Sequence, residues 1–194
     1  NPNLAPPVLN GQGEKVQSNW FFGFLKAPIP IRSWLEIRMP TFGFSDEHAN
    51  QLVSYFNGLA KVDVPYAYVD DKKIPQEHLE AARALVSKDF FNCFSCHQQG
   101  ERKPEGPVEG WAPDLTLARQ RLNPKWIIKW LQDPQKVQPG TKMPSFFPGG
   151  PDNILGGKDD RQIEALRDYL LSIGRNGAPA TAKAEVAKAK PVKR

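Results

Sequence analysis

Apolar residues fall at helical spacing in four stretches of this chain, and the polar residues between them mark where each helix starts and stops. Leu52, Tyr55, Phe56 and Leu59 mark one amphipathic helix. Leu79, Ala82, Leu85, Val86 and Phe90 mark another, predicted to run from Pro75 to the neighbourhood of Asn92. A third carries Trp126, Ile127, Trp130 and Leu131. Asn123 is placed to cap it, Pro124 fits its first turn, where a missing N–H is harmless, and Pro134 is predicted to end it. The last begins at Asp159, with Gln162 three residues on as a capping box, and carries Ile163, Leu166, Tyr169, Leu170 and Ile173 before Gly174 closes it. The stretches 101–110 and 140–157 are rich in glycine and proline and read as loops, with Gly100 as the stop before the first of them. No segment alternates convincingly as a strand, so the expected fold class is all-α.

The pattern also repeats. Trp20 to Pro28 aligns without gaps on Trp126 to Pro134, with Trp20, Leu25 and Pro28 identical to their counterparts. Ala5-Pro6 before it echoes Ala112-Pro113, and Arg38-Met39-Pro40-Thr41-Phe42 after it echoes Lys142-Met143-Pro144-Ser145-Phe146. The helix of Leu52, Tyr55, Phe56 and Leu59 then falls on Leu166, Tyr169, Leu170 and Ile173. A repeat of this extent predicts a duplicated domain.

Only two cysteines occur, and they stand in Cys93-Phe94-Ser95-Cys96-His97. That spacing is the attachment signature of a c-type haem. Two thiols add across the two porphyrin vinyl groups, two intervening residues let both reach one macrocycle edge, and the next residue presents a neutral imidazole to the iron. Zinc would need a second pair of ligands at comparable spacing, and His48 and His78 are isolated. A thioredoxin-like pair needs a preceding strand, whereas the preceding residues look helical. A disulfide between residues three apart is strained. One covalently bound haem c, held by Cys93, Cys96 and His97, is therefore the expected cofactor.

The other face of the iron decides between electron transfer and catalysis. Of the two methionines, Met143 lies in the loop Gly140-Thr141-Lys142-Met143-Pro144, with enough chain after Cys96 to pass around a porphyrin edge. A methionine commonly fills a core gap. Here the proline-bounded loop points instead to iron ligation, which would raise the potential relative to two imidazoles and close the site to oxygen and peroxide. His48, in the first turn of a helix, and His78, on the helix leading to the attachment motif, are the less well placed competitors.

Composition changes this picture little. Hydrophobic residues are 40% and charged residues 24% of 194, ordinary for a packed protein, and no run reaches the length of a membrane helix. The net charge of +5 sits mostly in the Ala/Lys-rich tail. No aromatic residues interleave its lysines, so a solvated extension is expected and not a nucleic-acid site. The chain opens Asn1-Pro2-Asn3 without a methionine or signal peptide, which reads as a processed or excerpted start.

With these motifs in place the chain resembles the class I c-type cytochromes, small domains with one His/Met-ligated haem. The likeness covers Ala82 to Gly174: a helix entering Cys93-Phe94-Ser95-Cys96-His97, then Ala112-Pro113-Asp114-Leu115, then Lys142-Met143-Pro144, then a helix with Tyr169-Leu170. The resemblance implies that the Pro113 carbonyl holds the distal nitrogen of His97, and that the first and last helices cross. It also makes Arg119, Arg121 and Trp126 candidate partners of the haem propionates, although an exposed face serves the two arginines equally well.

The expected organisation is thus two tandem cytochrome c-like domains: 1–62 a partial repeat without an attachment motif, 63–80 a linker and helix start, 81–175 the haem domain, and 176–194 the basic tail. A histidine equivalent to His97 would fall upstream of Asn1. Either the first repeat has lost its haem, or the chain begins downstream of a first attachment site, in which case Met39 is the candidate ligand of a second haem. The expected function is electron transfer in the periplasm or another extracytoplasmic space, with redox partner proteins or as a subunit of a membrane-bound respiratory or photosynthetic complex. The rivals are a haem enzyme with an open iron position, a peroxidase or oxidase subunit, and a sensor or assembly module with a structural haem.

Overall fold

Two separate apolar cores organise the chain in the computed structural model, which describes residues 8–35, 39–62 and 73–173. The regular structure is α-helix and short 3-10 turns, and among the described residues strand pairing is confined to isolated bridges. The all-α expectation therefore holds. Ala5-Pro6, Arg38, Gly174 and the basic tail lie outside the described residues.

The N-terminal half consists of α1 (Gln12–Lys15), α2 (Ser18–Lys26) and α3 (Asp46–Ala60). Its core is Val16, Phe21, Leu25, Ala49 and Val53, ringed by half-buried Trp20, Phe22, Met39, Phe44, Leu52 and Phe56. Ser45 caps α3 by accepting from the His48 backbone N–H at 3.2 Å. At Gly13 the backbone of α1 approaches α3 so closely that a Cβ would collide with the Phe56 carbonyl.

The C-terminal half holds α4 (Gln76–Leu85), α5 (Ala118–Arg121), α6 (Pro124–Gln132), α7 (Pro134–Val137) and α8 (Asp159–Ile173). The first and last of these pack together, with Ala82, Leu85 and Ala165 each fully buried at 0% exposure. His78 of α4 meets buried Asp168 of α8 at 2.8 Å, and Arg167 pairs with the same carboxylate. Asn123 caps α6, its side-chain oxygen accepting from the Lys125 N–H at 3.0 Å.

Three boundaries depart from the sequence pattern. The helix read from Pro75 to near Asn92 stops at Leu85, because the chain then turns back: Phe91 N–H donates to the Leu85 carbonyl and Cys93 N–H to that of Val86. Pro134 ends α6 but also opens α7, with Asp133 capping the new turn. No capping box forms at the start of α8. The Asp159 carboxylate accepts from the Gly149 and Gly150 N–H groups, while the Gln162 amide donates to the Pro151 and Ile154 carbonyls, so both side chains fasten the preceding loop.

The two halves meet where their sequences correspond. α1 and α5 are four residues each and α2 and α6 nine, joined by the same two-residue bend. At that bend Val16 bridges its own counterpart Leu122 in antiparallel fashion. Gln17 N–H donates to the Arg121 carbonyl at 2.8 Å, and Asn123 N–H returns the bond to the Lys15 carbonyl at 2.9 Å. The Gln17 side chain adds bonds to the Arg119 and Leu122 carbonyls. The cationic contacts are exchanged as well: the Lys15 ammonium lies 4.9 Å from the Trp126 ring centre, and the Arg121 guanidinium 5.2 Å from that of Trp20. The junction thus has a local two-fold relation.

Candidate haem site

Asn92, in the left-handed region at φ 48°, reverses the chain after α4 and opens a 3-10 turn over Cys93–Ser95. His97 N–H donates to the Cys93 carbonyl at 2.9 Å, so both cysteines and the histidine project from a single turn. Neither thiol is in a disulfide; Cys93 is half-buried and Cys96 exposed. Burial pushes the Cys93 thiol up to about 11, partly offset by a hydrogen bond from its own backbone.

A second strand of chain braces the turn. Ala112 N–H donates to the Cys96 carbonyl at 2.7 Å and Leu115 N–H to that of Gln98 at 2.9 Å. The Asp114 carboxylate accepts from the Gly100 and Thr116 N–H groups. These bonds hold the Pro113 carbonyl 2.8 Å from His97 Nδ1. A carbonyl can only accept, so Nδ1 carries the proton and Nε2 presents its lone pair. Burial lowers the proton affinity of His97; the Pro113 carbonyl opposes that and Arg32 reinforces it. The imidazole is consequently neutral at physiological pH, the form that binds iron.

Met143 is half-buried against the C-terminal core. The Gln135 amide donates to the Thr141 and Met143 carbonyls, fixing the loop, and the Trp130 indole N–H donates to the Met143 sulfur at 2.8 Å. A thioether sulfur has two lone pairs, so this bond leaves one for a metal. Trp126 is buried and stacks on Trp130 at 5.1 Å. Arg121 sits at the junction between the halves, its Nε buried without a hydrogen-bond partner. Arg119 instead donates to the Leu171 carbonyl. His78 is engaged by Asp168 and His48 is exposed on α3. Met39 packs in the N-terminal core.

The residues of the C-terminal half fit a porphyrin. Phe91, Phe94, Trp130, Met143, Phe146 and Tyr169 are apolar or aromatic yet only half-buried, packed against the core. Such a lining, with two thiols, a poised imidazole nitrogen and a thioether, matches the donor set and hydrophobic contact of a covalently held haem. An open groove of about 740 Å³ lies elsewhere, between α2 and α3, lined by Ser18, Phe22, Asn50, Val53 and Asn57. It contains no iron-ligating side chain.

Sequence reading missed Trp130, Gln135 and Asp114 as supports of the ligands. Trp130 was counted only in the apolar stripe of α6, where its position gives no hint that its N–H reaches sulfur in another segment. The cytochrome c family matches residues 80–174 of the chain. No curated protein and no solved structure matches it.

Proposed function

Residues 80–174 form a domain of the cytochrome c family, whose cofactor is covalently bound haem c, and on that premise we propose that Cys93 and Cys96 carry the haem while His97 and Met143 ligate its iron for electron transfer. When bound, the haem supplies a one-electron iron couple. The chain's own residues would hold the two iron ligands in place. His97 cannot rotate while Nδ1 is bonded to Pro113, and the Met143 loop is tied by Gln135 and Trp130. Bound to the iron, the Met143 thioether would exclude oxygen and peroxide, which favours electron transfer over the oxidase and peroxidase readings.

The observation that carries this reading is the His97–Pro113 bond, because it fixes the tautomer that iron needs within a turn that already presents both thiols. Transfer of this kind runs through weak, small encounters with redox partners. Cytochrome c domains are typically extracytoplasmic, and no described helix is long and apolar enough to cross a membrane. We place this chain in the periplasm or an equivalent space, as a soluble carrier or a subunit of a respiratory or photosynthetic complex. The N-terminal half reads best as a second cytochrome c-like repeat without an attachment motif in this sequence, with Met39 as the counterpart of Met143. The corresponding α1–α2 and α5–α6 units support that reading.

The spectrum of the oxidised protein tests the ligand assignment. The weak sulfur-to-iron charge-transfer band is expected in the unaltered protein and lost in Met143→Ala, with the Soret band retained. A band that survives Met143→Ala rules out this sulfur.

A further inference from the structure

Three cations, Lys15, Arg32 and Arg121, gather at the junction of the two halves. Arg121 is innermost, its guanidinium over Trp20 and its Nε buried and unpartnered. Lys15, half-buried, lies over Trp126 at 4.9 Å and within 6.0 Å of Trp130, the residue bonded to the Met143 sulfur. Arg32, exposed, follows α2 and stands two residues from Trp34, which meets Trp111 edge-on at 5.4 Å. Trp111 directly precedes the Ala112-Pro113 segment that holds His97. Glu14, beside Lys15 in the chain, pairs with Lys129, and the Asp114 carboxylate accepts from two backbone N–H groups.

Burial together with Arg121 and Arg32 draws Lys15 down to about 8, and burial together with Arg32 draws Arg121 to about 10. The three charges therefore feel one another; Lys15 reaches the Met143 side of the proposed haem site through Trp130, and Arg32 lies two residues from the Trp34–Trp111 contact that precedes the Pro113 segment. Withdrawing the Lys15 and Arg121 charges together from water is costly, and the Val16–Leu122 bridge and its exchanged bonds hold them there nonetheless. A paired anion resolves the cost, and a haem carries two carboxylates.

We infer that Lys15 and Arg32 of the N-terminal half join Arg121 in receiving the haem propionates, so that the half without an attachment motif completes the haem site and raises its reduction potential. The inference rests on the haem assignment above. Its physical content is simple: a positive charge beside the haem disfavours the oxidised iron, which carries one more positive charge than the reduced form. Lys129, a cation at the same junction but paired with Glu14, lies outside the cluster.

Redox titration of the haem-loaded protein, followed in its visible bands, tests this with Arg32→Gln, Lys15→Gln and Lys129→Gln. Each of the first two should lower the equilibrium constant for reduction about tenfold, equivalent to 59 mV for a one-electron couple, while Lys129→Gln should leave it within twofold. Arg32→Lys and Lys15→Arg should restore most of the potential. Unchanged potentials in Arg32→Gln and Lys15→Gln, with a normal Soret band, overturn the inference and leave the haem assignment standing. Equal losses in the charge-conserving variants also overturn it, since the effect would then be packing. Added inorganic phosphate should not move the unaltered protein's potential; a shift that Arg32→Gln abolishes assigns the cluster to a free anion instead. Absence of haem from the unaltered protein sinks the assignment itself.

Discussion

The helices α3 and α8 are both fifteen residues long and occupy corresponding places in the two halves, yet they are covered differently. In α8, Gln162, Ala165 and Asp168 are buried; the positions that correspond in α3, His48, Gln51 and Ser54, are exposed. Tyr169 is half-buried beside the attachment turn, whereas its counterpart Tyr55 is 60% exposed and Leu59 nearby is 50% exposed. The difference has one source. α4 and the turn that follows it lie on α8, while among the described residues no helix lies on α3 in the same way.

Breaking the N-terminal half selectively should show how far the two cores are independent. Gly13→Ala drives a methyl group into the Phe56 carbonyl and must lift α1 from α3. A loss of about 2 kcal/mol is expected, typical of overpacking. In urea denaturation followed by tryptophan fluorescence and by haem absorbance, the fluorescence midpoint should fall more than the haem midpoint. Coincident, equal shifts would mean that the halves unfold as one unit. The smallest effect is expected at the rim of the junction. Glu14→Gln removes the exposed Glu14–Lys129 pair, and the stability read from the same titration should fall by less than about 1 kcal/mol.

Much of the haem domain was legible in the sequence because its signals are local. The cysteine spacing, the histidine and the Asn123-Pro124 start all act within one or two turns of chain, and Asn123 caps α6 as read. The end of α4 was not legible. Its apolar period continues to Phe90, but the return of Phe91 and Cys93 to the Leu85 and Val86 carbonyls competes with the helix and wins. Asp159 and Gln162 have the spacing of a capping box, yet the 147–154 loop offers them better partners. The polar side of α8 was invisible to a search for apolar stripes, since Gln162 and Asp168 are buried by virtue of their partners and not of their hydrophobicity. The junction was foreshadowed by the repeat. That corresponding residues would bridge one another, and gather Lys15, Arg32 and Arg121 in doing so, depends on how the halves dock.

The mass of the intact, purified chain, combined with a haem count from the pyridine haemochrome, tests the central claim most directly. One haem per chain, retained after denaturation and adding its full mass to the polypeptide, is the expected result. A polypeptide at its bare amino-acid mass with two titratable thiols would contradict it, because Cys93 and Cys96 would then hold nothing.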